Sequence, residues 1–216
     1  MIGRYFFAAA LVFCCVSGLM AQTFYGTTDL KAFRDGRDKE FRKKDESPLK
    51  AEDFATFKGL NYFPTDSVFR VYATFKRTAG EKYFQMPTSS GNSKKFVKYG
   101  ELDFKLGNTI HRLNVYQIDP AIIAAAPEYS DLLFVPFKDL TIGKETYGVG
   151  RYLDIKVNKG RRVLLDFNLA YNPNCAYGSS KYSCPIPPAE NLLKVEIKAG
   201  EKKYGYSTET PNSTLQ

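Results

Sequence analysis

The side chains able to do chemistry gather between Pro136 and Glu201. Asp154 and Asp166 stand in two runs of alternating apolar and polar residues, Arg151 to Val157 and Arg161 to Leu169. Glu145 enters through a glycine-rich turn from Gly143 to Gly150. Two carboxylates held in different surroundings can divide the work of general acid and general base, which makes Asp154, Asp166 and Glu145 the candidate catalytic residues. Tyr147, Arg151, Tyr152, Asn168 and Tyr171 lie among them as candidate ligand-binding residues. The guanidinium would pair an acidic group, the phenol rings would stack, and the carboxylates would accept from hydroxyls or amines. The competing assignment is structural. Acids tied to Arg34, Arg37 or Arg151 would hold the fold, with Asn168 and Asn172 satisfying backbone groups of an irregular loop. Such ion pairs give ~0–1 kcal/mol when exposed and are costly to break when buried.

Cys175 and Cys184 are near enough in sequence to close a short loop. In an oxidising compartment a disulfide there would stabilise by ~2–3 kcal/mol on chain-entropy grounds. Two other readings stay open: a metal site completed by His111 and carboxylates, and a nucleophilic cysteine with His111 as base. Neither Cys-x-x-Cys nor Cys-x-x-His spacing is present, so no metal and no cofactor is expected. With 1 His and no Trp in 216 residues, a His-rich centre and any two-histidine scheme are excluded. Gly143, Gly148 and Gly150 lack the Lys-Ser/Thr and the following helix of a phosphate cradle, so they read as turn residues.

The elements that must position these groups read mainly as β. Val68–Phe75, Lys82–Met86, Phe96–Tyr99, Leu102–Leu106, Ile110–Ile118 and Leu132–Phe137 are short runs rich in β-branched and aromatic residues, separated by Gly, Pro, Asn and Ser. That spacing predicts an antiparallel β-barrel or sandwich. One α-helix precedes it: Leu30, Phe33, Arg37 and Phe41 share a face between Thr28 and Lys44, with Thr28 or Asp29 as cap and Ser47-Pro48 as stop. Ala121–Ser130 reads as a short helix interrupted by Pro127. The runs around Asp154 and Asp166 read as a hairpin with Asn158-Lys159-Gly160 as a three-residue turn, glycine last. In that register Leu153, Ile155, Val157, Val163, Leu165, Phe167 and Leu169 share an apolar face. Tyr152, Asp154, Lys156, Arg162, Asp166 and Asn168 share the other.

The first residues predict export. Arg4, an apolar run from Tyr5 to about Val16 and a small residue at Ala21 form a signal segment, residues 1–21. The run is too short for a membrane span, and Cys14 and Cys15 lack the small residues of a lipid-attachment site before them. A single β-rich domain over residues 22–206 and a flexible tail over 207–216 follow, periplasmic or secreted, with no membrane span after cleavage. The formal charge of +8 reads as scattered surface charge. Without a compact basic cluster interleaved with aromatics, no nucleic-acid partner is expected.

Several stretches resemble one family, the domain of unknown function 1684. They are Phe33-Arg-x-x-Arg-Asp38, Ser47-Pro-Leu49, Gly59-Leu-x-Tyr-Phe-Pro64, Thr88-Ser89, the run from Pro136 to Asp154, the run from Asp166 to Tyr177 with its specific Asn172-Pro-x-Cys-Ala-Tyr177, Cys184-Pro-Ile-Pro-Pro-Ala-Glu-Asn191 and Ala199-Gly-Glu201. The resemblance covers about residues 30 to 202 and implies a β-rich domain with no assigned activity. The residues themselves point to a small polar ligand held in a β-barrel pocket. The alternatives are a carboxylate-dependent hydrolase and a structural or interaction protein without a pocket.

Overall fold

The computed structural model describes residues 29–156 and 160–205. The predicted export segment, the tail from Ser207 and the turn residues 157–159 lie outside them. Asp29 caps the first helix, α1 (Leu30–Phe41), by accepting from the Lys31 and Ala32 amides. The helix stops at Phe41 rather than Lys44, and single turns carry the chain on to Ser47. A second short helix, α2 (Ala51–Phe54), follows. Phe41 is buried against Leu49 and Tyr177, which ties α1 to the far end of the chain.

The body is a curled, half-barrel antiparallel sheet. Its strands are β1 (Arg70–Arg77), β2 (Phe84–Pro87), β3 (Ser93–Leu106), β4 (Thr109–Ile118), β5 (Leu132–Phe137), β6 (Arg151–Lys156) and β7 (Arg162–Asp166). They run in the order β6-β5-β4-β3-β1-β7, with β2 paired to β3. The two runs expected at Phe96–Tyr99 and Leu102–Leu106 are one long strand, β3, with a bulge between Lys98 and Gly100. Gly100 is required there: a Cβ would lie 2.5 Å from the Phe75 ring and 2.6 Å from the Lys76 carbonyl. Helix α3 (Pro120–Ala125) joins β4 to β5, and a 3-10 turn begins at Pro127, the expected interruption.

The hairpin reading is corrected by the pairing. β6 pairs with β5, placing Asp154 opposite Phe134, whereas β7 pairs with β1, placing Asp166 opposite Arg70. The two strands therefore stand at opposite ends of the sheet order. Within β6 and β7 the predicted division of faces survives the change of partner, whereas Asn168, expected on the polar face, is buried in a 3-10 turn. Leu153, Ile155, Val163, Leu165 and Phe167 all enter the main core, and Tyr152 and Asp154 face away from it. Period-two alternation fixes which face a residue takes, and it carries no information about which strand lies alongside.

The core between the sheet's arms is completed by a stretch without strand structure. Leu193, Ile197 and Ala199 are buried there. Arg151 holds that stretch in place. It is 1% exposed, donates to the Ile197, Ala199 and Glu201 carbonyls, and pairs with buried Asp139 at 2.5 Å.

Candidate functional site

The sheet face turned away from the core carries an aromatic strip, because directly paired residues point the same way. Phe96 pairs with Ile118 of β4, Tyr116 with Phe134 of β5, and Phe134 with Asp154 of β6. Phe96 stacks on Phe134 with centroids 5.5 Å apart, and Phe134 meets Tyr152 edge to face at 4.7 Å. This strip floors a concavity of about 650 Å³, within the range of small-molecule sites.

The opposite wall is the segment from Pro173 to Pro185. Cys175 and Cys184 are joined as a disulfide across its base, Cα atoms 6.1 Å apart. Ser89 clamps the bridge, its hydroxyl donating to the Cys175 sulfur at 3.1 Å and its amide to the Cys184 carbonyl at 2.9 Å. Further ties hold the wall. The Tyr152 hydroxyl donates to the Pro185 carbonyl, Tyr182 donates to the Glu46 carbonyl at 2.8 Å, and the Ile186 amide donates to Pro87. Lys94 and Lys181 line the concavity with exposed side chains, which sets two positive charges at its rim.

Asp154 and Tyr171 form the polar end. The Tyr171 hydroxyl donates to Asp154 Oδ2 at 2.6 Å, and its ring meets Tyr152 edge to face at 5.8 Å. Asp154 opens to solvent along the concavity and is surrounded by protein on its other sides. That enclosure raises its pKa, against the opposing pull of the Tyr171 hydrogen bond and the charge of Arg37. Burial, reinforced by the neighbouring Asp154, also lifts Tyr171 well above the ordinary phenol range. The hydroxyl of Tyr171 thus keeps its proton and donates a hydrogen bond to the Asp154 carboxylate.

Behind Tyr171 lies a second, sealed network. The Arg37 guanidinium sits 4.8 Å from the Tyr171 ring centroid and donates to Glu201 at 3.3 Å. Glu201, 1% exposed, also accepts from the Tyr177 hydroxyl and from the amide and side chain of Asn172, both at 3.1 Å. Burial raises its pKa, and these donors and Arg37 work against the rise. The apolar-face arginine of α1 therefore serves to fix the rear of Tyr171.

Of the residues singled out from the sequence, Tyr152, Asp154 and Tyr171 meet in the concavity, and Cys184 lines its wall. The others are placed elsewhere. Arg151 is the buried strut described above. Asn168 is buried, its side chain bonded to the backbone of Asp66 and to Asp166. Asp166 accepts from Asn168 and pairs with Arg70 at 3.6 Å. Glu145 pairs with Lys198 at 3.5 Å, and Tyr147 is half-buried in the same turn, outside the concavity's lining. The strip residues Phe96, Tyr116 and Phe134 escaped the sequence reading because they come from three strands whose register only the pairing reveals. Asp139 and Glu201 escaped it too. Buried arginines announce that acidic partners exist without saying which. Among the described residues no group of His, Cys, Asp and Glu is arranged to hold a metal ion, and no helix is long and apolar enough to cross a membrane.

The family described as "Protein of unknown function (DUF1684)" matches residues 55–202. Among solved structures, an uncharacterized protein of Haloarcula marismortui determined by solution NMR is similar at 35% sequence identity and a TM-score of 0.62. That match covers 80% of this chain and 91% of the other. No curated protein matches.

Proposed function

From the premise that the chain belongs to the DUF1684 family, whose description assigns no activity, we propose that it binds a small polar ligand in the concavity on the outer face of its half-barrel. The observation that carries the reading is the Asp154–Tyr171 pair, 2.6 Å apart at the polar end of a site of about 650 Å³ floored by aromatic rings. Apolar walls with few convergent polar groups are the usual make-up of a ligand site. The disulfide-closed wall and the Arg37–Glu201 network behind Tyr171 support it by holding both sides of the site before a ligand arrives. A hydrolase working through two carboxylates draws no support from the geometry, since Asp154 lines the concavity and Asp166 and Glu145 do not.

Screening small hydroxyl- and amine-bearing aromatics by protein NMR tests the reading. Hits should perturb amides at Tyr152–Asp154 and Tyr171–Asn174. Tyr171→Phe, which removes the hydroxyl that orients the Asp154 carboxylate, should weaken them several-fold, and Asp166→Asn should leave them unchanged. A full screen without perturbations there would refute a ligand site.

We also propose that the protein is exported. The basic, apolar and small-residue pattern of residues 1–21 supports this, as does a disulfide that an oxidising compartment would preserve. Protein from the producing cell should begin at Gln22 by intact mass, and a chain retaining Met1 would exclude cleavage.

A further inference from the structure

Asp154 differs from the other acids of the sheet. Glu101 and Asp103 pair with Arg112, and Asp166 with Arg70. Asp154 has no ion pair among the described residues; it accepts a hydrogen bond from the neutral Tyr171 hydroxyl. Arg37, the cation behind Tyr171, is engaged by Glu201. Asp154 is exposed along the concavity, so a ligand can reach a carboxylate that no cation of the described residues neutralises. Here it is also ringed by Phe134, Tyr152 and Tyr171, packed edge to face in succession with centroids 4.7 and 5.8 Å apart. Aromatic faces carry negative charge and attract cations. A carboxylate within a group of aromatic rings is therefore suited to an ammonium group, which the acid neutralises and the rings solvate.

The rim has the opposite sign. Lys94 and Lys181 would repel a bare cation on its way in and would attract an acid. We propose that the concavity selects a dipolar ligand, an ammonium-bearing organic acid whose ammonium seats against Asp154 between Phe134, Tyr152 and Tyr171 and whose acidic group meets Lys94 and Lys181. This rests on the ligand-binding reading above and adds its charge pattern.

Three probes of one shape separate the possibilities: 4-(aminomethyl)benzoate, benzylamine and benzoate. Titrated into the disulfide-intact protein by calorimetry and NMR at neutral pH, the dipolar probe should bind best, benzylamine next and benzoate least. Asp154→Asn, nearly the same shape, should lower affinity for the dipolar probe at least tenfold while leaving the amide spectrum folded. Lys94→Ala with Lys181→Ala should bring it down to the benzylamine level and leave benzylamine itself no weaker. If benzoate binds the concavity as well as the ammonium probes do, or Asp154→Asn binds all three unchanged, the charge selection is refuted and a ligand site of another kind remains. If none of the three perturbs the concavity, the charge selection falls, and the wider screen decides whether a ligand site stands.

Discussion

Replacing Arg151 with methionine is expected to lower the free energy of unfolding by about 3–5 kcal/mol, the cost of leaving one partner of a buried pair alone. Asp139 is itself 1% exposed, and its remaining donors are the amide and hydroxyl of Thr141. The Ile197, Ala199 and Glu201 carbonyls would lose their guanidinium donor together. Arg151→Lys keeps the charge but not the planar fork, so it should recover only a minor share of the loss. Adding Asp139→Asn to the methionine variant should restore part of it by removing the orphaned charge. Urea unfolding at neutral pH reads all of these. A ligand-contacting Arg151 would behave differently: stability would barely move, and affinity for the dipolar probe would fall. A methionine variant within about 1 kcal/mol of the parent would mean the strut contributes nothing a well-packed apolar side chain cannot supply.

Arg151 also marks the limit of what the sequence discloses. Its neighbours alternate so clearly that Leu153 and Ile155 can be assigned to the core and Tyr152 and Asp154 to the other face from spacing alone. The helical face of Leu30, Phe33, Arg37 and Phe41 is as plain, because its periodicity is local. Strand partnership is long-range. Asp154 and Asp166 look adjacent across a hairpin, yet each strand pairs elsewhere, since a curled sheet can bring its two end strands to either side of a short connection. Leu193 to Glu201 is harder still to read. It fills the core without forming a strand, so no periodicity advertises it, and its backbone is satisfied partly by the guanidinium of Arg151. The candidate site was legible where sequence neighbours are also spatial neighbours, as with Tyr152 and Asp154. It was illegible where register decides, as with Phe96, Tyr116 and Phe134. Glu145 and Tyr147 show the converse: close in sequence to Arg151, they are carried off the concavity by the turn between β5 and β6.

Removing the Cys175–Cys184 bridge should affect the wall of the site and the stability of the whole chain together. The bridge closes a loop of sequence separation 9, for which chain entropy predicts a loss of about 2–3 kcal/mol. In a domain of this size that lowers the melting temperature by roughly 5–10 °C. Alanine is the appropriate replacement at both positions, since Cys184 is 8% exposed and the pocket wall beside it is largely apolar. The ties of the wall that remain, from Tyr152 to Pro185, Tyr182 to Glu46, Ile186 to Pro87 and the Ser89 amide to the carbonyl at position 184, are hydrogen bonds that do not join positions 175 and 184 to each other. With the bridge gone, Ser183 and Tyr182 are held by hydrogen bonds alone, to Thr88 and to the Glu46 carbonyl, both at 2.8 Å, and a ligand must order that wall further on binding. Affinity for 4-(aminomethyl)benzoate should drop several-fold, with Asp154 and Tyr171 untouched. Chemical reduction of the parent should reproduce the double-alanine variant in both melting temperature and affinity. If affinity holds while stability falls, the wall is positioned by its hydrogen bonds and the disulfide serves the fold alone. If neither changes, the bridge is dispensable and its place beside the site is incidental.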